Sequence, residues 1–139
     1  MGNEKTVRIG IIGCGGIANG KHMPSLRQIP GVQMVAFCDI IEERARKAKQ
    51  DYGTPDAAVY TDYRKLLEDK TIDVVHVCTP NRAHSFITVD ALHAGKHVMC
   101  EKPMAINAAE AKKMLDAAKE TGKLLTIGYQ SRQRADAQY

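Results

Sequence analysis

Short, nearly continuous apolar runs alternate along this chain with stretches whose apolar residues recur at helical spacing, and glycine or proline separates one kind from the other. "VRIGII" (7–12) carries β-branched residues and runs directly into glycines, as expected of a strand buried on both faces. A helix is expected from about Gly16, interrupted or re-aimed at Pro24 and ending near "IPG" (29–31). "VQMVAFCD" (32–39) reads as the second strand. The charged helix "EERARKAKQDYG" follows, with a thin apolar stripe at Ala45 and Ala48 and a stop at Gly53. A weak strand at "AAVY" (57–60), a short helix at "YRKLLED", and a clear strand at "DVVHVC" (73–78) come next. After "TPN" the pattern predicts a helix from about Ala83 to Ala94 that closes on Gly95. "HVMC" (97–100) is the fifth strand and stops on Glu101, Lys102 and Pro103. Asn107 and Glu110 form a capping-box-like pair ahead of a helix whose buried face is Ala111, Met114, Leu115 and Ala118. Gly122 ends that helix, and "LLTIG" (124–128) is the sixth strand.

Six strands alternating with helices across short loops imply parallel pairing through right-handed crossovers. The expected fold class is α/β, an open doubly wound parallel sheet of the Rossmann type with helices on both faces. Residues 1–128 make up this domain, and the polar "YQSRQRADAQY" (129–139) is expected to begin a connection to a further domain.

Composition narrows the function classes. The 139 residues, 44% hydrophobic and 26% charged, suit one globular domain with a real core. The net charge of +4 is scattered without a basic block or interleaved aromatics, which argues against nucleic acid as a partner. No apolar run approaches the roughly 18 residues of a membrane span, and no signal peptide precedes the first strand, so no membrane partner and a cytoplasmic location are expected. "MGNEKT" does satisfy the loose myristoylation pattern. Cys14, Cys38, Cys78 and Cys100 show neither a CxxC pair nor zinc spacing, and read as small buried hydrophobes in a reducing compartment, with no metal site.

The chemistry begins at "GCGGIA" (13–18), a G-x-G-x-x-A loop between strand and helix. Gly13 permits the tight turn, Gly15 lets backbone N–H groups approach a pyrophosphate, and Ala18 is small enough for the helix to pack on the strand. The helix start adds unpaired N–H groups and a positive dipole end. Asp39 closes strand two, 21 positions after Ala18, where a carboxylate accepts hydrogen bonds from a ribose and repels a 2'-phosphate. That favours NAD over NADP as the cofactor. Ile40 and Ile41 bring no cation to offset an extra phosphate, while Arg44 one turn later leaves the choice open.

"VVHVCTPNRAHSFITVDALHAGKHVMCEKPMA" (74–105) is more specific. With "GIIGCGGIA" before it and "GYQSR" after it, this stretch resembles the N-terminal half of the Gfo/Idh/MocA oxidoreductases, the family of glucose-fructose oxidoreductase and inositol dehydrogenases. The resemblance covers nearly the whole chain. It implies cofactor contacts at Gly13, Cys14, Gly15, Gly16, Ile17, Asp39 and Ile40. Further contacts fall on the strand-four loop, Thr79, Pro80 and Asn81, with His84 beginning the next helix, and on Glu101 and Lys102. His76 and His97 read as structural. The glutamate-lysine-proline motif puts Lys102 in the catalytic role, reaching the nicotinamide ribose and the substrate hydroxyl, with Glu101 holding the lysine or a ribose hydroxyl. A cation there would stabilise alkoxide character on a carbinol oxygen, and Pro103 would stiffen the mount.

The resemblance further implies hydride transfer between a nicotinamide cofactor and a secondary alcohol of a sugar, inositol or related polyol. A second domain would supply the proton-transferring residue, the substrate wall and a homo-oligomer interface. The 139 residues alone are then expected to bind dinucleotide without turnover. NAD-assisted glycoside cleavage and non-enzymatic dinucleotide sensing are the other roles found on this framework, and Lys102 speaks for catalysis over sensing.

Overall fold

The computed structural model describes residues 5–128. Six strands, β1 (Val7–Ile12), β2 (Val32–Cys38), β3 (Ala58–Tyr60), β4 (Val74–Val77), β5 (His97–Glu101) and β6 (Leu125–Gly128), form one sheet in the order β3-β2-β1-β4-β5-β6. Every neighbouring pair is parallel. This is the doubly wound α/β arrangement expected from the alternation of runs.

Strand alternation sends side chains to two cores, one per face. Ile9, Ile11, Met34 and Phe37 pack with Met23, Leu26, Ala45 and Ala48 from α1 (Met23–Arg27) and α2 (Glu42–Tyr52). Ile12, Val75, Val77, Val98 and Cys100 meet Leu66, Ile87, Leu92 and Met114 on the other face. The latter come from α3 (Tyr63–Leu67), α4 (His84–His93) and α5 (Ala108–Thr121). The four cysteines are free and buried. Burial pushes the thiols of Cys14 and Cys38 up to about 12 and that of Cys100 to about 11.

Helix ends follow their local chemistry. The Asn107 side chain accepts the Glu110 N–H at 2.9 Å, and Gly122 closes α5 in the left-handed region at φ 70°. Around Pro24 the helix is re-aimed without breaking. Residues Ala18–His22 form a π-helical turn that leads into α1, and the Met23 N–H reaches back to the Ala18 carbonyl.

Three expectations are corrected. β5 runs one residue further, through Glu101, which stands opposite Gly128 on β6. β2 and β4 stop at Cys38 and Val77, leaving Asp39 and Cys78 just past the strands. Leu115 is 50% exposed, and α5 instead buries Met114 and Ala117. One helical step of about 100° carries Leu115 off the stripe that packs beside α4. Residues 129–139, expected to begin a connection, lie outside the described residues. Among the described residues no helix is long and apolar enough to cross a membrane.

Candidate functional site

All strands point the same way, so the segments following β2, β1, β4 and β5 line one edge of the sheet in that order. Three strand spacings of about 4.8 Å separate the outer two, a crevice roughly 14 Å long. Its centre is the junction of β1 and β4, where the direction of winding reverses. Gly13–Ile17, Asp39–Ile40, Thr79–Asn81 and Glu101–Lys102 all stand on this edge, so the sheet gathers the residues singled out in the sequence. His84 starts α4 behind it.

Gly13 has φ +93°, and a Cβ there would stand 2.7 Å from the Cys78 carbonyl carbon and 2.9 Å from the Thr79 nitrogen. Only glycine fits that turn. The Gly13 N–H bonds the Cys38 carbonyl at 2.8 Å. Around Gly16 no atom lies within 4 Å of a built Cβ, and at Gly15 the nearest is Arg44 Nη1 at 3.9 Å. The loop is therefore closed towards the sheet and open on its outer side. Asn19, which sequence reasoning did not single out, keeps it so: its side-chain amide donates to the carbonyls of Cys14 and Gly15, both at 2.8 Å. With those carbonyls held back, the N–H groups of the helix start face outward.

Asp39 is 8% exposed. Its Oδ2 accepts the Cys14 N–H at 2.9 Å and its Oδ1 accepts the Ile41 N–H at 2.8 Å. The acid thus ties β2 to the glycine loop, and the Cys14 amide is engaged inward. Each carboxylate oxygen keeps a second lone pair for a ligand hydroxyl. Beside it Ile40 is 89% exposed, an apolar side chain at the rim.

Past β4, Thr79 Oγ1 is buried without a partner among the described residues. Pro80 and Asn81 are exposed, and Asn81–Ala83 form a single 3-10 turn. His84 is buried, with Nε2 2.9 Å from the Thr79 carbonyl and Nδ1 2.7 Å from the Pro103 carbonyl. It braces the β4 loop against the segment after β5.

At the end of β5 the two charges part company. Lys102 is exposed, and the Lys102–Pro103 peptide is cis. Glu101 is 7% exposed and turns inward. Its Oε2 accepts the Lys102 backbone N–H at 3.1 Å, and its Oε1 lies 2.7 Å from His22 Nε2. His22 Nδ1 is in turn 2.8 Å from His76 Nδ1, the rings meeting edge to face. Burial, then the neighbouring His22, holds the His76 pKa down to about 3. His22 was not among the residues the sequence brought forward.

The arrangement fits a dinucleotide. A turn that admits only glycine, an open N–H surface at a helix start, an acid in register and an orphaned hydroxyl at Thr79 are what its diphosphate and riboses require. No group of three His, Cys, Asp or Glu side chains that could hold a metal ion occurs among the described residues. A cleft of about 480 Å³ at the opposite edge, lined by Lys5, Lys70, Lys96 and Lys123, shares none of these residues.

The model of an oxidoreductase family with an NAD-binding Rossmann fold matches residues 7–129. Inositol 2-dehydrogenase of Salmonella typhimurium is 38% identical over 128 residues, covering 91% of this chain and 38% of that protein. D-glucoside 3-dehydrogenase of Escherichia coli is 38% identical over 132 residues, covering 95% of this chain and 37% of that protein. Among solved structures, a 3-ketoreductase from Actinomadura kijaniata in complex with TDP-benzene and NADP superposes with a TM-score of 0.88 at 29% identity. It covers 95% of this chain and 41% of that one. Myo-inositol 2-dehydrogenase from Lactobacillus plantarum gives 0.85 at 28%, over 94% and 38%. The chain thus spans about two fifths of the length of the relatives it matches.

Proposed function

The chain belongs to the Gfo/Idh/MocA oxidoreductase family as its NAD-binding Rossmann domain, and on that footing we propose that it serves hydride transfer at a secondary alcohol of a sugar, inositol or related polyol. The observation that carries this reading is the convergence of the glycine loop, Asp39, Thr79 and Lys102 on adjoining parallel strands. Gly15 and Gly16 would admit the diphosphate, Asp39 the adenosine ribose, and Thr79 to Asn81 the middle of the cofactor. The bound nicotinamide supplies or accepts hydride. Lys102 is exposed at the strand end; reaching over the crevice, its ammonium would offset negative charge building on the substrate oxygen. NAD is favoured over NADP because the Asp39 carboxylate sits where a 2'-phosphate would add like charge. Relatives named as inositol and glucoside dehydrogenases support the substrate class.

Calorimetric titration of the chain with NADH and NADPH tests the cofactor assignment. NADH is expected to bind more tightly, and Asp39→Ala to weaken it by about tenfold, as for loss of a charge-assisted hydrogen bond. Tighter NADPH binding, or undiminished NADH affinity in Asp39→Ala, would sink the assignment of Asp39.

A further inference from the structure

Three separate parts of the fold meet in the line Glu101–His22–His76, which the proposed function does not use. Val75 and Val77 point into the core under α3 to α5, as do Val98 and Cys100. Alternation therefore leaves His76 on β4 and Glu101 on β5 facing the α1 side. His22 arrives there from the π-helical turn. Pro24 offers no N–H to the Gly20 carbonyl, and the chain answers by bonding the Met23 N–H to Ala18, one residue further back than an α-helix does. The extra residue re-phases the next turn by about 100° relative to an unbroken α-helix.

A buried carboxylate is costly unless its oxygens are satisfied. Here one oxygen meets His22 and the other takes the Lys102 N–H. On the far side of Lys102, the Pro103 carbonyl is held by His84. The backbone carrying the Lys102 ammonium is thus pinned before and after.

The geometry points to His22 as a positioning residue for Lys102, acting through Glu101, with His76 as its backing. The effect on cofactor binding rests on the dinucleotide reading; the hydrogen-bonded line itself does not. A neutral His76 can carry its proton on either ring nitrogen, so its Nδ1 can donate to or accept from the His22 Nδ1, whichever tautomer His22 adopts.

Two variants separate the halves of the line. In His22→Gln the amide nitrogen overlays Nε2 and still reaches Glu101, whereas in His22→Asn it overlays Nδ1 and reaches only His76. Amide hydrogen exchange at Lys102, followed by NMR without cofactor, is expected to quicken about tenfold in His22→Asn and stay within about twofold of the parent in His22→Gln. NADH affinity should fall about fivefold in His22→Asn, the weight of one hydrogen bond, while ADP, which lacks the nicotinamide half, binds unchanged. Equal Lys102 exchange in parent and His22→Asn, parallel losses of NADH and ADP, or a His22→Gln as impaired as His22→Asn would each overturn the proposal. If the parent binds no NADH, the dinucleotide reading falls, and Lys102 exchange alone decides the positioning role. Should His22→Asn fail to fold, Glu101→Gln takes its place. Its oxygen is needed by the Lys102 N–H, so its amide faces His22, and long-range 1H–15N spectra should show the His22 proton on Nδ1. A proton remaining on Nε2 refutes the line.

Discussion

Replacing Asp39 by alanine removes the proposed ribose ligand and also two hydrogen bonds of the resting loop. The Cys14 N–H loses its acceptor in a buried setting, and the Ile41 N–H loses one in a partly buried setting. An orphaned buried donor costs about 1–3 kcal/mol, and a half-exposed one that turns to water about 0.5–1.5 kcal/mol. The sum, about 1.5–4.5 kcal/mol, corresponds at its middle to a fall in Tm of roughly 10 °C for a domain of this size. Scanning calorimetry without cofactor measures this directly. Asp39→Asn separates the two functions of the acid. Its oxygen can still take the Cys14 N–H, while its amide nitrogen meets the Ile41 N–H donor to donor, so roughly half the loss should remain. With the negative charge gone, the preference for NADH over NADPH should narrow in both variants. A cofactor-free Tm for Asp39→Ala within about 2 °C of the parent would refute the claim that this carboxylate holds the loop.

The two loop glycines should respond oppositely. Gly13→Ala meets both the positive φ and the Cys78 carbonyl at 2.7 Å, and is expected to lose about 3 kcal/mol or more in urea unfolding. Gly16→Ala has open space around its Cβ and should leave stability within about 0.5 kcal/mol while weakening NADH in titration. His76, neutral in the fold down to about pH 3, gains a proton on unfolding at any pH below its ordinary 6.5. Its contribution is therefore present above pH 6.5 and lost as pH falls towards 3. Urea unfolding of parent and His76→Leu should show the parent losing about 3 kcal/mol relative to the variant between pH 6.5 and 4, and a pH-independent difference would disprove it. Burial raises the thiols of Cys14, Cys38, Cys78 and Cys100, so a thiol-specific disulfide reagent at pH 8 should label them only as the chain unfolds.

The sheet was legible because strands covered on both faces become near-continuous apolar runs, and right-handed crossovers leave few ways to order six of them. Gly13 and Gly122 were legible for a related reason: each stands where the backbone takes a positive φ. His22 was not, since its partners lie 54 and 79 positions away and a π-helical turn shifts its phase from the one an α-helix would give. Asn19 was missed because its work is on carbonyls of its own loop, which carries no periodic signal. For Glu101 a signal did exist. Val98 and Cys100 are core residues of β5, so once the strand is carried one residue further Glu101 falls on the opposite face, shared with His76 of β4. Expecting Glu101 to hold the lysine treats neighbours in sequence as neighbours in space. At the last residue of a strand they are the reverse, because alternation turns consecutive side chains to opposite sides. The glutamate enters the fold to hold the backbone, and the lysine leaves it for the exposed end of the strand. At the mouth of β5 the adjacent opposite charges are thus a buried anchor and an exposed cation rather than partners.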